Sequence, residues 1–432
     1  MNTENRTILH ENTKLGEKYI EIRHKSGLRI LVNSKPFSNT VAMLTVKFGA
    51  SDRAYRESDG QPIVQLPAGT AHFLEHKMFE TESGEDVFYI FSQYGAYSNA
   101  FTSTDITSYY FSCTDNFYES LDILLDFIFE PHFTPESVEK EKDIIGQEIR
   151  ASEDAPKTRI YYELIRSLYT AREVCDTVSG NETDISNINY EMLRDCHRNF
   201  YTPDNMFLTV CGEVSVDQIL EAVDIRMKNR RADRKTSCIC SSADPIPDNM
   251  NSEISMDVSR PMFAFGIRDN ISDCDERERT KRMVAAKLIL DIAFGHSGEF
   301  FSSLYEKEIL TNNFSADYER LPERAFVMVS GAADDPGVVL SHFKEKINEL
   351  ADHGVSVSDF TRMKRSAYAD YVTGFDSADM IAEDLIESAI TNVGLFDIYD
   401  IMLEIDHDYV CRVACELFTD AKIACAVINP IK

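Results

Sequence analysis

Apolar and polar residues alternate along the first fifty positions in the manner of strands. Tyr19-Ile20-Glu21-Ile22 leads through a turn at Ser26-Gly27 into Leu28-Arg29-Ile30-Leu31-Val32, a hairpin-like pair. Val41 to Phe48 forms a third strand, ended by Gly49. Pro67-Ala68-Gly69-Thr70 then supplies a turn and an N-cap, so a helix is expected from there. A second helix is expected from about Glu85 to Tyr94, stopped by Gly95, and the aromatic and β-branched stretch Tyr97 to Ser112 reads as strand. Leu121 to Phe129 is apolar at helical spacing, Pro135 opens a helix running to about Ser152, and Met206 to Val210 is a strand ended by Gly212.

Between about Asn229 and Asn251 the pattern lapses. Arg230, Arg231, Arg234 and Lys235 give way to Ser241-Ser242-Ala243-Asp244-Pro245-Ile246-Pro247-Asp248, an exposed connection. Beyond it the order begins again. Arg260 to Ile267 is a strand, Arg277 to Phe294 a helix before Gly295, and Glu299 to Ile309 a second helix. Ala325 to Val329 is strand-like, three helical stretches follow, and Ile423 to Ile428 is a last strand. The expected architecture is α+β: a first domain over 1–228, a linker over 229–252 and a second domain of related architecture over 253–432.

Composition narrows the partners. The 432 residues include 44 basic and 73 acidic side chains, a formal charge of −29. Phosphate neutralisation needs a basic surface, which excludes nucleic acid. No apolar run reaches the ~20 residues that span a bilayer, and Met1 to Arg6 lacks the character of a secretion signal, so no membrane partner is expected. The ten cysteines form no Cys-x-x-Cys pair, and Cys238 and Cys240 are too close for an ordinary disulfide. A reduced, cytoplasmic protein is the expectation.

The chemistry is concentrated in His72-Phe73-Leu74-Glu75-His76. Histidines four apart on a helix share a face, so both imidazoles can reach one metal ion, and Glu75 leans toward the same edge. A carboxylate there can take a proton from water activated by zinc. The order His-x-x-Glu-His is that of the inverted zincins; the alternative is a surface helix whose two histidines fall in register. A third ligand is sought on the helix containing Glu139 to Arg150. Ile144, Ile145 and Glu148 share a stripe, and Glu141 lies two turns earlier on nearly the same face, where it could hold a ligand or orient water. Glu139 and Glu153 read as solvent-facing, and a charged surface helix accounts for the spacing equally well. His296, alone beside Gly295, reads as a turn or capping residue.

Four blocks carry a specific resemblance: Gly69 to Phe79, Gly95 to Ser103, Glu139 to Ile149, and Asn199 to Met206. In this order across about Gly27 to Gly212 they are similar to the pitrilysin/insulinase family of metallopeptidases, which includes the mitochondrial processing peptidase. The resemblance is strongest to its short bacterial YmfH-type branch. It implies that His72, His76 and Glu148 bind one Zn²⁺ per chain, with Glu75 as general base and Glu141 as a helper glutamate in catalysis. It also implies two homologous α/β-sandwich domains, each an antiparallel-rich sheet covered by helices, forming half of a clamshell chamber. A homodimer or a heterodimer with a related chain would close it.

Ser98, Asn99, Ala100, Phe101 and Thr102 resemble the family's edge strand, to which a peptide substrate adds as an extra strand, and Asn99 could donate to the scissile carbonyl. The other reading of these residues is a turn Asn and a core-facing Phe101. Many relatives carry an Arg and a Tyr in the second domain that reach the substrate. Tyr305 to Phe314 lacks that pattern here, so Tyr318 or a partner chain would have to supply it. The implied activity is zinc-dependent endopeptidase cleavage of peptides or small unfolded polypeptides. The alternative is a noncatalytic or assembly subunit of a heterodimeric complex.

Overall fold

The computed structural model describes residues 4–431 except 83, 229, 231–235, 240–243 and 273. The strands of the first part are β1 (Arg6–Asn12), β2 (Glu17–Arg23), β3 (Arg29–Ser34), β4 (Thr40–Val46), β5 (Ala54–Arg56), β6 (Val64–Gln65), β7 (Tyr97–Thr102), β8 (Thr107–Cys113) and β9 (Met206–Gly212). Its helices are α1 (Thr70–Met78), α2 (Val87–Gln93), α3 (Phe117–Phe129), α4 (Pro135–Glu153), α5 (Pro156–Leu168), α6 (Arg172–Cys175), α7 (Glu182–Ser186), α8 (Tyr190–Phe200) and α9 (Val216–Met227). The second part contributes strands β10 (Ser237–Cys238), β11 (Asn251–Met256), β12 (Met262–Asp269), β13 (Ser315–Leu321), β14 (Arg324–Ala332) and β15 (Ile423–Pro430). Its helices are α10 (Glu276–Phe294), α11 (Glu299–Glu306), α12 (Pro336–His353), α13 (Val357–Gly374), α14 (Ala378–Thr391), α15 (Asp397–Glu404) and α16 (His407–Phe418).

The larger sheet has the order β1-β2-β3-β9-β4-β8-β7, antiparallel except where β3 runs parallel to β9. A second sheet has the order β11-β15-β12-β14-β13, antiparallel except for the pair β11 and β15. The last five strands of the first sheet thus match the second position by position, and each hairpin at the far edge follows a pair of helices. This shared topology is the repeat that the hydrophobic pattern suggested. The fold class is α+β.

Each sheet owes its stability to apolar residues on alternate positions meeting helices. In the first, Ile30, Val32, Leu44, Phe111, Leu208 and Val210 pack with Phe73 and Leu74 of α1 and Leu121, Leu124 and Ile128 of α3. Such burial contributes roughly 1.5–3 kcal/mol for each large side chain. In the second sheet, Ile160, Leu164, Ile165 and Leu168 of α5 pack with Ala264, Phe326, Ala424, Ala426 and Ile428.

That last contact corrects the expected domain boundaries. One compact unit comprises 1–149, 176–240 and 372–396, and the other 150–175, 241–371 and 397–432. Helix α5 lies on the second sheet, and α14 lies on β9 and β4 of the first, so the units exchange helices and are not contiguous in sequence. The physical cause is an apolar helix face that finds its sheet in the other half of the chain.

Three further expectations are corrected. Tyr97 to Ser112 is not one strand but a hairpin broken at Ser103–Ile106, where Ser103 Oγ donates to Asp105. The expected linker includes β10, paired antiparallel with β5. It also includes Asp244, which accepts hydrogen bonds from Thr170 and Arg324; residues 229, 231–235 and 240–243 of it lie outside those described. Five helices, not three, separate β14 from β15 among the described residues.

Candidate metal centre

Helix α1 starts from Gly69, whose φ of +81° is a left-handed conformation that only glycine adopts without strain. A Cβ at Gly69 would lie 2.3 Å from the carbonyl oxygen of Ser179, and one at Gly180 (φ +73°) would lie 2.5 Å from that of Ala68. These two backbones therefore touch, which clamps the turn 177–180 onto Ala68–Gly69, immediately ahead of the metal-motif helix. Arg53 fastens the same turn through Asp176 at 2.6 Å.

The helix buries Ala71, Phe73, Leu74 and Met78 and leaves His72 and His76 on the remaining face, their ring centroids 4.7 Å apart. From α4, Glu148 points at both rings: Oε1 is 3.4 Å from His72 Nε2 and Oε2 is 3.5 Å from His76 Nε2. One donor atom from each of these three residues falls within a set no wider than 4.8 Å. These two separations exceed the usual ~2.9–3.0 Å of an N–H···O bond. Two zinc–ligand bonds of ~2.0–2.2 Å opened to a tetrahedral angle would part their donor atoms by about 3.4 Å. The donor set, two imidazoles and one carboxylate, fits zinc with a position left open.

The stripe argument for Glu148 is corrected. Its neighbour Ile144 is 55% exposed, and the buried ridge of α4 is Val138, Ile145 and Ile149. Glu148 and Glu141 instead share a flank of the helix, seven residues apart. Glu141 Oε1 accepts from His76 Nδ1 at 3.1 Å and its Oε2 accepts from Lys77 Nζ at 3.0 Å. Lys77 itself is buried and also meets Glu80. Glu139 and Glu153 are exposed as expected. His72 Nδ1 is buried and makes no hydrogen bond among the described residues.

The electrostatics follow from this packing. Burial pulls the His76 imidazole down, but the hydrogen bond and charge of Glu141, with Glu148 and Glu75 nearby, carry it above its ordinary value. The hydrogen bond from His76 outweighs burial in holding Glu141 low, helped by Lys77. Glu148 is likewise held low, chiefly by the facing His72 imidazole against the opposing effect of burial.

A cavity of about 390 Å³ lies over the triad, lined also by Glu75, Ala100, Phe101, Thr102, Val178 and Ser179. Its strand, β7, is the edge of its sheet. Asn99 and Phe101 are exposed, so Phe101 is not a core residue, while Ser98 is buried. Asn99 donates to the Tyr97 hydroxyl at 3.2 Å, and its amide oxygen accepts from the Ala100 N–H. The Thr102 hydroxyl donates to Glu75 Oε2 at 2.5 Å. The tie between Thr102 and Glu75, the cation Lys77 and the turn at Val178–Ser179 were absent from the sequence reading. Only the Gly69 and Gly180 positions hint at the last.

Tyr318 is engaged within its own unit. It is buried, and its hydroxyl donates to Asp269 at 2.5 Å, where Arg282 also binds with two nitrogens at 2.7 and 2.8 Å. His296 donates to the Phe314 carbonyl and stacks on Phe301, as a structural histidine does.

Residues 66–180 match the family model described as insulinase (peptidase family M16), and 187–367 match the peptidase M16 inactive domain. The uncharacterized zinc protease YmfH of Bacillus subtilis is 30% identical over 97% of this chain and 98% of its own. A probable mitochondrial-processing peptidase subunit beta of Arabidopsis thaliana is 22% identical over 94% of this chain and 77% of its own. Among solved structures, an M16-like peptidase from Alicyclobacillus acidocaldarius superposes with a TM-score of 0.89 at 25% identity, covering all of both chains. The chain belongs to the insulinase (M16) peptidase family.

Proposed function

We propose that this chain is a zinc-dependent endopeptidase that hydrolyses peptides or small unfolded polypeptides laid along β7 as an added strand. The observation that carries this reading is the convergence of His72, His76 and Glu148 beside an edge strand and a carboxylate, in a family whose relatives are named zinc proteases. The three residues would hold one zinc ion per chain, which when bound supplies a Lewis acid that acidifies water and polarises a carbonyl. Glu75 takes the proton of the attacking water and returns it to the departing amine nitrogen, so that one water is added across one peptide bond. Ser98 to Thr102 offer backbone N–H and C=O groups to the substrate, which gives affinity with little sequence preference. Glu141 acts as a positioning residue, because it reaches His76 and Lys77 and does not line the cavity.

A noncatalytic or assembly subunit is the second reading, favoured by the buried Tyr318 and by the absence of the second-domain pattern at Tyr305 to Phe314. We infer that a second chain, identical or related, completes a closed chamber. The buried cysteines Cys113, Cys196 and Cys211 are free thiols, which supports residence in the cytoplasm, and no described helix is long and apolar enough to cross a membrane.

The test is zinc content together with cleavage of an unstructured peptide library, before and after chelation, alone and mixed with a related chain. One zinc per chain and chelation-sensitive cleavage are expected, with Glu75→Gln retaining zinc and losing ~10²–10⁴ in kcat. Zinc-loaded protein that cleaves nothing alone or mixed would establish the noncatalytic reading instead.

A further inference from the structure

We propose that Thr102 is the positioning residue of the general base, its hydroxyl holding the Glu75 carboxylate by one oxygen so that the other faces the water. This inference rests on the peptidase reading of the site.

Glu75 is 8% exposed, and a carboxylate so nearly buried needs a donor. The hydrogen bond from Thr102 to Oε2 is the one its side chain makes among the described residues. At 2.5 Å it lies in the range of a hydroxyl donating to an ionised carboxylate. The direction of the proton is set by the neighbours. Thr107, paired with Thr102 across the hairpin, donates its own hydroxyl proton to the Phe48 carbonyl at 2.9 Å. Its oxygen is 3.3 Å from the Thr102 hydroxyl, a poorer acceptor in both distance and charge than Glu75.

Two consequences follow. With Oε2 occupied, Oε1 is the oxygen left to accept a proton. Thr102 is also the last residue of the edge strand, so the strand that receives the peptide and the group that moves the proton are joined by one hydrogen bond. A helix carboxylate is thereby registered against the strand beside which the scissile bond lies. Orientation of this kind affects the reacting state more than binding.

Thr102→Val keeps the shape and removes the hydroxyl, and Thr102→Ser keeps the hydroxyl and removes the methyl. The valine variant is expected to retain one zinc and a KM within about twofold of the parent, with kcat lowered by about tenfold or more. The serine variant is expected to recover most of kcat. Crystal structures of both variants without metal give a readout independent of turnover. The Glu75 carboxylate should leave its place or occupy several rotamers in the valine variant and stay put in the serine variant. The inference is overturned by a valine variant with parental kcat, by equal impairment of both variants, or by an unmoved Glu75 in the valine structure. Should the parent cleave no peptide, the peptidase reading fails, and the crystallographic comparison still decides whether Thr102 holds Glu75.

Discussion

The two imidazoles of the triad are held differently. His76 donates its Nδ1 proton to Glu141, which Lys77 steadies from the other side, whereas Nδ1 of His72 relies on packing alone. A ligand oriented by a carboxylate binds its ion more tightly, so Glu141→Ala should weaken zinc about 10–100-fold. Glu141→Gln, which keeps an acceptor and loses the charge, should weaken it less. Competition with a chelator of known affinity measures both. At this scale the sequence was informative where the interaction is local. His72, Glu75 and His76 are read from helical spacing alone. Glu148 was chosen for a stripe that Ile144 does not follow, and the family resemblance, not the periodicity, identified it. The ties of Lys77 to Glu141 and of Thr102 to Glu75 were unreadable because the partners lie 64 and 27 residues apart in sequence.

Among the elements, the strands and helices that flank sharp glycine turns were legible, since Gly49, Gly95 and Gly212 punctuate the pattern. The break inside Tyr97 to Ser112 was not, because a tight turn there uses Ser103 and Asp105 rather than glycine. The turn 177–180 sits between short helices that carry little periodicity, yet it fixes the start of α1. Gly180→Ala tests this. The new Cβ would meet the Ala68 carbonyl, and the backbone would be held at a positive φ. A loss of roughly 2 kcal/mol or more in unfolding free energy is expected from the denaturant midpoint, with weaker zinc binding because α1 must shift.

For the molecule as a whole, acid stability is set partly by a buried histidine outside the triad. Burial depresses the His197 imidazole to about 4, while its Nε2 donates to the Ile128 carbonyl at 2.9 Å. Above the ordinary histidine value of ~6.5 neither folded nor unfolded chain protonates it, and its contribution is fully present. As pH falls from there toward 4 the unfolded chain gains a proton that the folded one refuses, so stability declines by at most about 3 kcal/mol. Denaturant titrations at several pH values should show His197→Gln flattening this limb relative to the parent.

The exchanged helices bear on how the polypeptide is made. The sheet that carries the edge strand is complete once Gly212 has been synthesised, yet the helix that packs on β9 and β4 arrives only with Ala378–Thr391. During translation of the intervening residues that sheet face waits, greasy and unshielded, on the ribosome. A nascent chain in this state is a natural client for chaperones, and severing the gene between its halves would strand each product without its neighbour's helix.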